Sequence, residues 1–455
     1  MNVSKKKKKF SLFSAILSVI CVVFVAEAAA PVAAIGNSQF FWWIFLMLVF
    51  LLPCGLISSE LGTAYLGNGG IYDWTTKAFG HRWGTRVAWY YWINFPLWMA
   101  SLAVMCPEIL GIALGHEIDA LPSLLIGLLF IWIIVFISFY PASDNIWILN
   151  GAAIIKVFLA VLVGVFGVYV AFTKGVANEY TLSSLLPSLD LNSLSFISVI
   201  LFNFLGLEIV CTFASEMENP QKQIPQSIIV GGIAISAIYI FSAFGIGVAI
   251  PTEEISTSSG LIDSIRLMSG KPQGLFLTII AILFLLTLFG NVISWSLGIN
   301  RTACYAAQNG DMPKFFGKKR KNNGMPIGSA LMNGIVASII VATAPLLPNQ
   351  HLFWAFFALN LVMHLLSNLP VFLAFLKLRK SDLDTVRPFR VGGKNWFLHL
   401  LVALPMLIII ISIIFIAIPF DSDPATLSDV LPITIGSIVC IAIGEIMIKV
   451  KKIKP

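Results

Sequence analysis

The stretch LSFISVILFNFLGLEIVCTFAS, residues 194–215, decides how the rest of the chain is read. It is long and apolar enough to cross a bilayer, which takes about 20 residues of helix. It nevertheless carries one carboxylate, Glu208, two residues after a helix-weakening glycine, Gly206. An ionisable side chain in hydrocarbon costs roughly 2.5–3.5 kcal/mol on insertion scales, so a membrane helix keeps one only for a reason. The stretch therefore reads as a transmembrane helix interrupted around a working carboxylate. Three roles fit Glu208: substrate contact, proton relay and structural pairing.

Working outward, eleven more apolar runs of similar length surround this one. The twelve candidate spans cover 11–36, 40–66, 87–114, 121–141, 147–173, 194–215, 226–250, 273–300, 327–346, 352–377, 396–419 and 430–448. No segment between them is long enough for a soluble domain. Composition agrees: 58% of the 455 residues are hydrophobic and 11% charged, against about 25% charged in soluble domains, and the mean hydropathy is +0.91. The class is an all-α polytopic membrane protein.

The net charge of +7 does not point to nucleic acid, because its distribution is orientational. With the N-terminus placed inside, 24 of the 29 Lys and Arg fall in inside loops or tails, from Lys5–Lys9 through Lys77, Arg82 and Arg86 to the group after Lys449. Positive loops face the cytoplasm, so both termini are expected there, with the chain in the cell membrane. Lys5–Lys9, the apolar run and the alanines at 26 and 28–30 look like a secretory signal, but the run is expected to remain as span 1. Six cysteines lie in or beside apolar runs without metal or disulfide spacing and read as small buried side chains.

Glu27 lies mid-span in the first helix, within Ala26-Glu27-Ala28-Ala29-Ala30-Pro31. Small residues allow close approach, and Pro31 breaks the hydrogen-bond ladder. Broken backbone at membrane depth is tolerated only against protein or a water-filled cavity. A carboxylate there suits an ammonium or guanidinium group; the bland alternative is a pair with Lys156. Interrupted helices at equivalent places in two halves mark a transporter's binding site, and spans 1 and 6 stand five apart. Lys156 is well inside span 5, either snorkelling or supplying a fixed positive charge between helices. Glu60, in the inner half of span 2, reads as a structural or gating group, and Glu108, after Pro107, as facing an outer vestibule. Phe202, Trp295 and Trp354 are candidates to stack on a cation, although most aromatic residues here belong to packing or the interfacial belt. No nucleotide loop, dinucleotide fingerprint or metal cluster occurs, so no cofactor is expected and transport is driven by gradients or exchange.

Three segments resemble the amino acid–polyamine–organocation transporters, especially the branch of the glutamate/4-aminobutyrate antiporters. They are Ser59-Glu60-Leu61-Gly62 with Gly69-Gly70-Ile71-Tyr72-Asp73-Trp74; Asn203-Phe204-Leu205-Gly206-Leu207-Glu208 running on to Glu216-Met217-Glu218-Asn219-Pro220; and Ser294-Trp295 with Gly298 and Arg301, ending in Gly310-Asp311-Met312-Pro313. The resemblance covers nearly the whole chain. It implies a 5+5 inverted repeat plus two helices, with substrate held where spans 1 and 6 unwind. It also implies that Lys156 stands where relatives bind sodium. The expected organisation is a basic N-terminus (1–10), a first repeat (11–173), a second repeat (194–377), two further spans (396–448) and a basic C-terminus (449–455).

One departure is informative. Many members carry a Gly-Ser-Gly-type motif in span 1 to hold a substrate carboxylate, whereas this chain places Glu27 there. That carboxylate would repel a carboxylated substrate and attract an amine. The overall pattern is also similar to bacterial agmatine/putrescine antiporters. The expectation is an exchanger of small cationic amines, agmatine for putrescine, and not an enzyme. Its site would comprise Glu27, Asn203, Gly206, Glu208, Phe202 and Trp295, with Lys156, Glu60 and Glu108 in coupling or gating. Its partners would be the amines and the lipid bilayer. A shifted register at Glu27 would leave exchange of an amino acid for its decarboxylation product.

Overall fold

The computed structural model describes residues 9–25, 32–67, 69–187, 191–255, 260–270, 274–346, 352–420 and 424–450. Among them every regular element is helical apart from an isolated bridge between Phe10 and Met217. Ten helical segments are long and apolar enough to cross a membrane, and two shorter apolar helices, Leu12–Val23 and Ile327–Thr343, bring the number to twelve.

In chain order the spans are span 1, Leu12–Val23; span 2, Gly36–Ala64; span 3, His81–Leu114; span 4, Ala120–Ile137; span 5, Ile146–Lys174; span 6, Ile197–Glu216; span 7, Pro220–Ala249; span 8, Leu275–Gln308; span 9, Ile327–Thr343; span 10, Leu352–Ser381; span 11, Asn395–Ala417; and span 12, Pro424–Val450. Spans 3 and 8 begin or end further into polar sequence than hydropathy suggests. Hydropathy reports where the membrane lies, whereas the helix continues through His81–Arg86 and through Arg301–Gln308 as long as its backbone can bond to itself. Two short helices that hydropathy does not mark, Ile71–Phe79 and Gly260–Ser269, lie between spans.

The apolar window of span 6 is 100% buried, against 22% for span 12 and 28% for spans 4 and 11. The carboxylate-bearing span is therefore the most enclosed of the ten, whereas spans 4, 11 and 12 present leucine, isoleucine and valine outward. Span 3 packs along spans 8 and 10; span 7 packs along spans 5 and 1. Lipid tails are as apolar as the helices, so association depends on close fit. Spans 5 and 7 show this: a Cβ on Gly167 would fall 1.9 Å from the carbonyl oxygen of Gly245, so any side chain there would separate the two backbones.

At one end of the bundle the starts of spans 1, 3 and 7 meet the ends of spans 2, 6, 8, 10 and 12, as an even number of alternating spans requires. This basic end is fastened in several places. Phe10 N–H donates to the Glu216 carbonyl at 2.8 Å, and the Phe10 carbonyl accepts from Gln223 Nε2 at 3.1 Å and from Glu218 N–H at 3.4 Å. Arg86 grips Glu445 through two nitrogens at 2.5 and 2.9 Å, tying span 3 to span 12.

Candidate functional site

Span 1 stops being α-helical at Val23, and Phe24 is extended. The last carbonyls of a helix have no partner within it; here other spans supply partners. Lys156, fully buried in span 5, donates from Nζ to Cys21 O at 2.9 Å and also to Phe24 O. It does not snorkel: its ammonium caps the negative end of a helix dipole, a favourable place for a cation. Asn291 of span 8 donates to Cys21 O and Val22 O at 3.3 and 3.2 Å, and Trp295 Nε1 donates to Val22 O at 2.8 Å. Tyr239 of span 7 accepts from Val25 N–H at 2.7 Å and donates to Val25 O at 3.2 Å. Residues 26–31 follow, so Glu27 lies outside the described residues.

Span 6 gives up its α-helix at Phe202, crosses a turn at Asn203–Gly206, and resumes as a tighter 3₁₀ helix, Leu207–Glu216. Gly206 makes the turn possible with φ +100°, a region that L side chains avoid. A Cβ on it would stand 2.8 Å from Trp295 Cζ2 and 2.9 Å from Val22 Cγ1. The two breaks therefore touch, and Trp295 is fixed between them: its nitrogen bonds to span 1 while its ring lies on Gly206.

Glu208 is 6% exposed on the first 3₁₀ turn. Its Oε1 accepts from the Tyr91 hydroxyl of span 3 at 2.9 Å and lies 3.8 Å from Nε2 of His364 in span 10. No lysine or arginine among the described residues reaches it. Phe202 packs its ring against Trp98 and Phe357 at 5.0 and 4.6 Å. Asn203 is fully buried, and neither amide atom has a hydrogen-bond partner among the described residues. Four candidates from sequence, Phe202, Asn203, Gly206 and Glu208, thus share the turn of span 6, and Trp295 closes on it. Tyr91 and His364 were not singled out. A lone histidine in an apolar run has no periodic or motif signal, and Tyr91 is one of four consecutive aromatic residues.

Glu60 and Glu108 are elsewhere. Glu60, fully buried near the end of span 2, receives Arg379 Nε at 2.7 Å, Arg379 Nη2, and the Val391 N–H at 2.7 Å, with Arg387 Nε 3.5 Å away. It binds the loop after span 10 to the basic end of the bundle. Beside it Asp382 accepts from the Tyr65 hydroxyl at 2.7 Å; this bond and those from Thr385 hold its carboxyl below the usual range. Glu108 is exposed near the other end of span 3. Two further anchors occupy the basic end. Glu216 pairs with Arg301 and accepts the Ser143 N–H at 2.7 Å. Asp311 takes the Tyr72 hydroxyl at 2.6 Å and lies 2.8 Å from His81 Nδ1.

Twelve apolar helices, with spans 1 and 6 abandoning α-helix beside a buried carboxylate, define a multi-pass membrane transporter. The chain belongs to the amino acid permease family, whose description matches residues 10–443. Over 445 residues it is 68% identical to the "Probable agmatine/putrescine antiporter AguD" of Lactococcus lactis subsp. lactis (strain IL1403), spanning 98% of this chain and 96% of the relative. It is 24% identical over 406 residues to the "Glutamate/gamma-aminobutyrate antiporter" of the same organism, across 86% of this chain and 79% of that one. These relatives are transporters, and the chain is one of their class and not an enzyme.

Proposed function

We propose that the protein is an antiporter that exchanges agmatine for putrescine across the cell membrane, with its basic end and both termini in the cytoplasm. The observation that carries the reading is the environment of Glu208: a buried carboxylate at a helix break whose polar side-chain neighbours among the described residues are a tyrosine hydroxyl and an imidazole. A carboxylate left in a low-dielectric site without a countercharge is costly, and a cationic substrate supplies that charge. The 68% identity to a probable agmatine/putrescine antiporter supports the same substrates.

Both amines carry a cation at each end, so a site for them calls for two carboxylates. Glu208 takes one end in this reading and Glu27 the other. Trp295 and Phe202 flank the aliphatic chain, and Asn203 and the backbone of the turn at Gly206 complete the polar contacts. Lys156, Glu60 and Glu108 act in coupling or gating: Lys156 fixes the end of span 1, Glu60 latches the cytoplasmic side, and Glu108 faces the outer approach. The 5+5 repeat, spans 1–5 against 6–10, supplies the rocking that exposes the site alternately. Exchange is obligatory because an empty site would have to reorient with its carboxylates unpaired. The lipid bilayer is the remaining partner.

The test is counterflow in proteoliposomes loaded with putrescine, following labelled agmatine. Rapid uptake, lost in Glu27→Gln and in Glu208→Gln, supports the reading. Uptake of a carboxylated amino acid with none of agmatine overturns it.

A further inference from the structure

His364 is fully buried in span 10, and neither ring nitrogen has a hydrogen-bond partner among the described residues. Buried polar atoms are nearly always bonded, so an idle imidazole at the core of a bundle calls for an explanation. The ring is not loosely held. It stands T-shaped to Trp295 at 5.2 Å and tilted to Tyr91 at 5.6 Å, the two aromatic residues that line the Glu208 carboxylate and the helix breaks. This packing aims Nε2 at Glu208 Oε1 across 3.8 Å, too far for a hydrogen bond between them.

The gap has the right width for a third atom. A nitrogen placed beside the line joining the two acceptors, at the usual hydrogen-bond distance of about 2.8 Å from each, sees them roughly a right angle apart. Two N–H bonds of a tetrahedral ammonium can serve both acceptors at once. A carboxylate alone would respond mainly to charge, whereas a carboxylate with a neutral imidazole beside it also counts N–H donors.

We propose that His364 is a specificity-determining residue: Nε2, with the ring proton on Nδ1, accepts a second hydrogen bond from the substrate nitrogen bound to Glu208. The pair thereby favours nitrogens rich in N–H, primary ammonium and guanidinium, over fully alkylated cations of equal charge. This rests on the amine reading of Glu208 given above.

The experiment compares wild type with His364→Phe and His364→Gln in putrescine-loaded proteoliposomes. Putrescine and its bis-quaternary hexamethyl derivative, which has no N–H at either end, serve as competitors against labelled agmatine. Wild type is expected to prefer putrescine strongly. His364→Phe keeps a ring against Trp295 and Tyr91 but removes the acceptor. It should raise the KM for agmatine about tenfold, equivalent to ~1.4 kcal/mol, leave kcat within about twofold, and erode the preference for putrescine. His364→Gln, which restores an acceptor, should recover part of it. An unchanged KM and preference in His364→Phe overturns the proposal. So does a wild type that admits the bis-quaternary amine as readily as putrescine, a result that needs no variant. If wild type exchanges neither agmatine nor putrescine, the amine reading itself falls and His364 with it. If agmatine and putrescine are exchanged but the bis-quaternary amine competes equally well, only the role of His364 falls.

Discussion

The buried carboxylates at the basic end and the one at the centre of the bundle are solved in opposite ways. Glu60 and Glu216 are each matched by an arginine and a backbone N–H. Among the described residues Glu208 has no arginine or lysine beside it, only the Tyr91 hydroxyl and, at 3.8 Å, the His364 ring as side-chain neighbours. The first arrangement is self-sufficient and fixes one helix to another. The second, in the proposed reading, is completed by the cation of the substrate. The difference separates two uses of a buried carboxylate: one matched by arginine holds a position, and one without a cationic partner among the described residues is the proposed seat of the substrate.

The contrast can be broken at either side. Arg379→Ala should have the largest effect, about 3 kcal/mol of lost stability, because it removes the two-nitrogen grip on the buried Glu60 and leaves only the Val391 N–H and Arg387 at 3.5 Å. Thermal unfolding in detergent checks this, and Glu60→Leu added to Arg379→Leu should recover much of the loss. Glu208→Gln should behave in reverse: counterflow falls by at least about 100-fold, ~2.7 kcal/mol, while the melting temperature does not drop. If Glu208→Gln unfolds the protein, Glu208 belongs with the structural carboxylates and the comparison fails. Gly206→Ala sharpens the picture of the break. It combines a positive φ with contacts under 3 Å to Trp295 and Val22, a strain of about 1–3 kcal/mol, and should slow exchange without changing which amines compete. The smallest effect is expected for Trp295→Phe, which keeps a ring but loses the bond to Val22 O, about 0.5–1.5 kcal/mol, read as a modest rise in KM.

Much of this was legible in the sequence because the bilayer is a severe solvent. It demands apolar length, so twelve runs disclosed twelve spans, and it penalises charge, so Glu208 stood out beside Gly206. The same logic could not find partners. Arg379 registered only as an orienting charge and Arg301 only as part of the third resembling segment, since nothing local announces a carboxylate 319 residues away for one or 85 for the other. Lys156 was visible as an anomaly, but its function as a cap on span 1 depends on where that helix stops. His364 gave no signal at all: its meaning lies in three spans meeting, not in its neighbours along the chain. The helix Ile71–Phe79 escaped for the opposite reason, being too short and polar to register as a span.

The bridge between Phe10 and Met217 links the segment before span 1 to the segment after span 6. The two broken helices already touch at their midpoints through Gly206 and Val22. Fastened at a second point, they form a single lever with two contacts along its length, not two independent hinges. Parting span 1 from span 6 at the basic end would first strip two backbone hydrogen bonds from one phenylalanine. Phe10, which lies outside both breaks, is thereby the second fastening between the two broken helices.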